Sequence, residues 1–179
     1  DATRHGLFSG YLKSYYEMWY REYRQEVEVY QKIHQYNMEN PTKSGDSQIN
    51  VPRILMFGDS FSLSLHKLKF NGSLGYYMAL EFIEQDCNLE DSVIDDKIIQ
   101  DTVEQIERMI RQHGIVQEDL ETRNMILFGN RIALFDFGKI RLLTEEQLQN
   151  EEYVNNLVKA STNKIYNLLS PRPRTAISI

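Results

Sequence analysis

Cysteine occurs once, at Cys87, so an internal disulfide is excluded, and that usage suits a reducing, intracellular compartment, cytoplasmic or nuclear. No apolar run approaches the roughly 18 residues that a membrane span requires. The start of the chain is rich in Tyr and charge rather than signal-like, so no membrane association is expected. Basic residues are in deficit. Twenty Lys plus Arg against 26 Asp plus Glu leave a formal charge of -6, which argues against a nonspecific hold on nucleic acid or anionic lipid. Internal repeats are missing, and the only compositional bias is the Tyr cluster near the start. The chain opens at Asp1 rather than Met, as expected of an excised or processed fragment.

What is present is ordinary globular material: 179 residues, 41% apolar, 26% charged and 11% aromatic, enough for one core with two subregions. Tyr16, Tyr20, Tyr23, Val27, Tyr30 and Ile33 recur at spacings of three and four and predict a first helix, which the polar segment Asn37 to Asn50, with Pro41 and Gly45, interrupts. Val51 to Phe57 and Tyr76 to Ile83 read as strands, separated by a Ser/Lys/Gly-rich connection. Ile99, Val103, Ile106 and Ile110 predict a second helix within Ser92 to His113, stopped by Gly114 in a left-handed conformation. Met125 to Phe128 and Arg131 to Phe135, joined by Gly129-Asn130, predict a hairpin. Thr144 with Gln147 has the form of a capping box opening a helical region that runs to Leu169, before Pro171 and Pro173. The order helix, two strands, helix, hairpin, helix implies an α+β fold in which two small layers meet at a cleft.

Chemistry concentrates between Gln112 and Gly138. Asp119 precedes Asn124 by five residues, and Asp136-Phe137-Gly138 follows the predicted hairpin. A hairpin returns both of its ends to one edge, which brings Asp119 and Asn124 toward Asp136. A carboxylate that orients or accepts a hydroxyl proton, beside oxygen ligands for Mg²⁺, is what phosphoryl transfer requires.

These segments resemble the protein-kinase-like superfamily, whose catalytic loop H-R-D-L-x-x-x-N and D-F-G are matched by QEDLETRN and DFG. GIVQEDLETRNMIL and IALFDFG are similar to compact kinase-like proteins whose loop reads His-Gly-Asp-Leu. The resemblance extends over roughly residues 10 to 145. YMALEFI looks like the fifth strand and hinge, with Leu80 as gatekeeper and the backbone of Glu81, Phe82 and Ile83 facing the adenine edge. It implies a reduced N-terminal lobe over residues 1–83, a small antiparallel sheet plus helix and hinge strand, and a trimmed, mainly helical C-terminal lobe over 84–179 with an active-site hairpin. ATP and Mg²⁺ are the implied cofactors. Asp119 would be the catalytic base, Asn124 and Asp136 the metal ligands, Arg123 a phosphate contact, and Lys13 with Glu26 the pair that anchors the phosphates.

The pattern is incomplete. Gln117 and Glu118 replace the loop histidine and arginine, Glu121 replaces a lysine common two residues after the aspartate, no G-x-G-x-x-G precedes the first helix, and no A-P-E follows DFG. Lys13 in GYLKSYY, thirteen residues before Glu26, resembles a third-strand V-A-x-K. Two functions follow from the resemblance. One is a phosphotransferase acting on a protein or small-molecule acceptor, including the aminoglycoside-kinase type. The other is a pseudokinase that binds a protein partner, with the Tyr-rich first helix as its surface. Taken singly, Glu26 and Lys13 read as surface charges, and Tyr15, Tyr16, Trp19, Tyr20 and Tyr23 as packing residues. His113 reads as a partner of a helix C-terminus rather than a metal ligand, and Cys87 lacks a neighbour that would activate its thiol.

Overall fold

The computed structural model describes the backbone of residues 2–40, 48–58, 61–65, 70–74, 77–85, 89 and 92–170, and the side-chain surroundings of 18–40, 48–58, 78–85, 89 and 92–170. Pro41, Gly45, Cys87, Pro171, Pro173 and the side chain of Lys13 lie outside those residues. Helix α1 (Ala2–Glu39) is followed by strands β1 (Ile54–Gly58), β2 (Phe61–Leu65), β3 (Phe70–Leu74) and β4 (Tyr77–Leu80). Helix α2 (Asp96–His113) leads into β5 (Ile115–Gln117), a 3₁₀ turn at Thr122–Asn124, β6 (Met125–Phe128), β7 (Arg131–Leu134) and β8 (Ile140–Leu142), before α3 (Glu145–Gln149) and α4 (Glu151–Leu169). The fold is α+β, and among the described residues the strands form two-stranded antiparallel sheets, β1 with β4, β2 with β3, β5 with β8 and β6 with β7.

The two strands expected around Val51 and Tyr76 are present and pair with each other, with Ile54 opposite Leu80, but each begins later than the apolar run that announces it. Between them the structure differs from the expected connection. Phe61, Leu63 and Leu65 alternate with serines, a period of two that makes β2 and pairs it with β3. In α1 the predicted stripe divides. Val27, Tyr30 and Ile33 are buried, joined by Val29, whereas Tyr20 is 37% exposed.

Helix α2 starts at Asp96 because Asp95 caps it, its carboxylate accepting the Lys97 N–H at 2.7 Å. Its apolar stripe is buried together with Thr102, Gln105 and Met109. Gly114 ends it at φ +64, a conformation that favours glycine, and a Cβ there would meet Leu148 Cδ1 at a tight 3.3 Å. Thr144 and Gln147 form the capping box of α3, but Asn150 interrupts the predicted helical run and caps α4 anew by accepting the Tyr153 N–H. Helix α4 packs on α2 through Val154, Val158, Ile165 and Leu169.

One buried cluster connects these parts, running from Val29, Tyr30 and Ile33 through Ile49 and the α2 stripe to Phe137 and α4. Residues 49 and 50 are its polar seam. Asn37 donates to the Ile49 carbonyl at 2.8 Å and accepts the Ile49 N–H at 3.1 Å. Asn50 N–H donates to Gln105 Oε1 at 2.8 Å, and its carbonyl accepts the Leu134 N–H at 2.9 Å. Thus α1, α2 and β7 are tied at one point, with the N–H groups of residues 49 and 50 and both their carbonyls hydrogen-bonded. Among the described residues no helix is long and apolar enough to cross a membrane.

Candidate functional site

The hairpin does what its sequence predicts. Strands β6 and β7 pair from Met125 opposite Leu134 to Phe128 opposite Arg131, and Gly129 alone of the two turn residues takes positive φ. The open end of this hairpin carries the chemistry. Phe135 N–H donates to the Asn124 carbonyl at 3.1 Å, which extends the pairing by one residue and sets Asn124 beside the approach to Asp136. The short β5–β8 sheet adds a second clamp, continued by Glu118 N–H donating to the Lys139 carbonyl at 3.0 Å.

Gln117 holds the two segments together. It is buried, and its Nε2 donates to the carbonyls of Phe135 and Asp136 at 3.1 and 3.2 Å. Its Oε1 is buried without a hydrogen-bond partner, so the side chain acts as a donor only. Asp136, which these bonds help hold, has φ +58, the one non-glycine residue with positive φ among those described. Aspartate tolerates that region better than most side chains, and such strain persists only where the surroundings over-determine it. The result is that Asp136 is exposed while its neighbour Phe137 is fully buried.

Asn124 is buried, and its Nδ2 donates to the Asp119 carbonyl at 2.9 Å. That leaves Oδ1 as its side-chain acceptor. The Asp119 carboxylate, 18% exposed, meets Arg123 at 3.2 Å and Lys139 Nζ at 3.7 Å. Partial burial pushes this carboxyl up, but the Arg123 hydrogen bond and the charges of Lys139 and Arg123 together outweigh it and hold the group below its ordinary range. Asp119 is therefore ionised at neutral pH. Arg123 also binds Glu121 at 3.1 Å, and Arg141 binds Glu118 at 3.2 Å.

From α1, Glu26 reaches this edge. Its Oε1 accepts the Phe137 N–H at 3.0 Å. Burial, countered by that hydrogen bond and reinforced by the Asp136 charge, raises the Glu26 carboxyl above its usual range. One turn further on, Tyr30 packs edge-on against the Phe137 ring with centroids 5.0 Å apart. Its hydroxyl is buried near the Asp136 backbone without completing a hydrogen bond.

Two groups of predicted residues lie elsewhere. Lys13 is on α1 rather than on a strand. Thirteen residues of helix at about 1.5 Å each separate it from Glu26 by about 20 Å, so the expected pair is not formed. Leu80 is half-buried at the end of β4. Beyond it, the Glu81 N–H donates to the Arg53 carbonyl at 2.8 Å and the Glu81 carboxylate takes the Arg53 guanidinium at 3.2 Å. Glu81, Phe82 and Ile83 line a cleft of about 510 Å³ together with His34, Asn50 and Arg53, and neither Asp119, Asn124 nor Asp136 borders it. Phe82 is 88% exposed. Among the described residues no three His, Cys, Asp or Glu side chains gather as a metal cage.

From the sequence, Asp119, Asn124 and Asp136 come to one edge and Glu26 pairs with Lys13; neither Tyr30 nor Lys139 is among the expected site residues. Tyr30 was visible only as a member of the packing stripe, one turn from Glu26. Lys139 was visible only as the residue after Gly138. The chain matches no known family model, and no curated protein is significantly similar to it.

Proposed function

We propose that the chain is a kinase-like domain that binds ATP with Mg²⁺ and transfers a phosphoryl group, from a reduced N-terminal lobe and a trimmed helical C-terminal lobe. The observation that carries this reading is the set of bonds from Gln117 and Asn124 to the Phe135–Asp136 segment, which gathers the Asp119, Asn124 and Asp136 motif residues at one edge. The donor set suits Mg²⁺, a hard cation that favours oxygen ligands, uses one or two carboxylates and completes its shell with water and phosphate. Asp136 offers an exposed carboxylate whose hydrogen bond from the Gly138 N–H is long, 3.4 Å, and Asn124 offers Oδ1. Bound Mg²⁺ would supply neutralisation of the phosphate charge. Asp119, ionised and positioned by Arg123, orients the acceptor hydroxyl and takes its proton. Arg123 provides positive charge beside it.

The acceptor is a protein or a small molecule, the latter in the manner of aminoglycoside-type kinases. A second reading, a pseudokinase with little turnover, is favoured by one observation: Glu26 holds the Phe137 amide instead of a lysine. On that reading the partner-binding surface is the aromatic part of α1, where Met18, Trp19 and Tyr20 are exposed.

Calorimetry and thermal shift with Mg²⁺-ATP, comparing wild type with Asp136→Ala, test the nucleotide site, because a ligand that binds the native state raises stability by RT ln(1 + [L]/Kd). A shift that needs the metal and disappears in the variant is expected; no shift at millimolar nucleotide would remove the nucleotide reading. Phosphate release or transfer that is lost in Asp119→Asn separates the enzyme from the pseudokinase.

A further inference from the structure

A ligand rich in phosphate at the Asn124–Asp136 edge needs a cation, and neither of those residues supplies one. Glu26 is committed to the Phe137 N–H, and Lys13 sits about 20 Å away along the same helix. Position 121, two residues after Asp119, is a glutamate and adds negative charge. Among the described residues the cations that act on the Asp119 carboxylate are Arg123 and Lys139. They are not equivalent. Arg123 is shared between two carboxylates, Asp119 at 3.2 Å and Glu121 at 3.1 Å, so its guanidinium is engaged within the chain.

Among the described residues Lys139 makes one long ion pair, 3.7 Å to Asp119, and its side chain is 69% exposed. The pair is long and its lysine end lies in solvent, so the ammonium leaves it at small cost. Its backbone is anchored, since its carbonyl accepts the Glu118 N–H at 3.0 Å and the next residue enters β8. A fixed backbone directly after Asp136-Phe137-Gly138, carrying a loosely held point charge on a flexible stem, meets the requirements of a phosphate contact.

We propose that Lys139 is the residue that contacts the terminal phosphate of a bound nucleoside triphosphate, in place of a lysine paired with Glu26. This rests on the nucleotide reading above. Moving to the phosphate takes Lys139 off Asp119 Oδ2, which Arg123 continues to hold at 3.2 Å, so Asp119 keeps its position when the nucleotide binds. Contact with the third phosphate alone also makes Lys139 a discriminator between triphosphate and diphosphate.

The test is calorimetric titration of Mg²⁺-ATP and of Mg²⁺-ADP into the full chain as wild type, Lys139→Met, Lys139→Arg and Asp136→Ala. Lys139→Met is expected to weaken ATP about tenfold, to leave ADP within about twofold, and to be rescued by Lys139→Arg. An unchanged Tm in Lys139→Met verifies folding, as its exposure leads one to expect. Equal effects on ATP and ADP, or none, while Asp136→Ala abolishes binding, would overturn the Lys139 assignment and leave the nucleotide site standing. Absence of binding by wild type to either nucleotide overturns both.

Discussion

Glu26 and Phe137, 111 positions apart, are joined by a single hydrogen bond in which the Phe137 amide donates to Glu26 Oε1 at 3.0 Å. This bond links the longest helix to the segment that carries Asp136, so the position of α1 and the conformation of the Asp136 turn depend on one another. It also explains a half-buried carboxylate that faces no cation among the described residues: the partner is a backbone amide beside a fully buried ring.

Removing that acceptor strands the Phe137 amide. Glu26→Ala is expected to cost about 1–3 kcal/mol in urea unfolding, the usual penalty of a buried donor left unmade. Glu26→Gln keeps an acceptor and sheds the desolvated charge, and should lie within about 1 kcal/mol of wild type. The pH dependence has a definite sign. A carboxyl whose folded pKa is raised binds protons more readily in the native state, so its contribution to stability grows as pH falls from neutral through that raised value. Glu26→Gln abolishes this part of the profile, and unfolding curves across the acid range read it directly.

Tyr30 and Phe137 separate ring packing from hydroxyl chemistry. Tyr30→Ala removes a fully buried ring and its edge-on contact, for an expected loss of about 3–5 kcal/mol. Tyr30→Phe deletes a hydroxyl that completes no hydrogen bond, so a change under about 1 kcal/mol, or a gain, is expected from thermal melts. A large loss in Tyr30→Phe would reveal a hydrogen bond to the Asp136 backbone.

Gln117 donates to two carbonyls and accepts nothing through its buried oxygen. Gln117→Ala is expected to lower stability by about 1–3 kcal/mol and to speed amide exchange at Phe137 and Gly138. Gln117→Glu places a carboxylate against two carbonyl oxygens and should be worse than alanine at neutral pH. Acid should relieve it, because a protonated carboxyl regains one donor. Chemical denaturation of both variants at neutral and acid pH checks the crossing.

His34 accepts the Ile54 N–H through Nε2 at 3.3 Å, which requires the neutral ring and ties α1 to β1. Burial lowers its pKa below the ordinary 6.5, with the Arg53 charge adding to burial and the Pro52 carbonyl and Glu81 opposing it; burial and Lys32 do the same for His113, whose ring packs on Tyr36. A depressed folded pKa means that the unfolded chain binds more protons. The stabilisation is therefore complete above about pH 6.5 and declines as pH falls toward the folded values. His34→Gln, which retains an acceptor, should flatten that slope, as measured by Tm against pH.

Elements whose signal is local were legible before the structure. Gly114, the β6–β7 turn and the Thr144–Gln147 capping box each specify their geometry within a few residues, and each is found where its residues lie. Asp119, Asn124 and Asp136 were legible as a set because a hairpin must return its ends to one edge. The β2–β3 hairpin was missed although Phe61, Leu63 and Leu65 alternate, because the intervening serines and lysines resemble a connection in composition. Lys13 was misplaced since a short apolar run with one lysine suits a strand or a helix equally, and here the run continues into α1.

By itself, then, the sequence determined periodicity, caps, turns and the order of the motif residues, because those depend on backbone preferences and on neighbours within one or two turns. Tertiary structure decided the rest. That Glu26 meets an amide instead of an ammonium, that Gln117 spends both donors on Phe135 and Asp136, and that Lys139 arrives beside Asp119 all depend on contacts between segments far apart in the chain. Such contacts follow from how α1, the hairpin and β8 share one buried core, and no local preference encodes that packing.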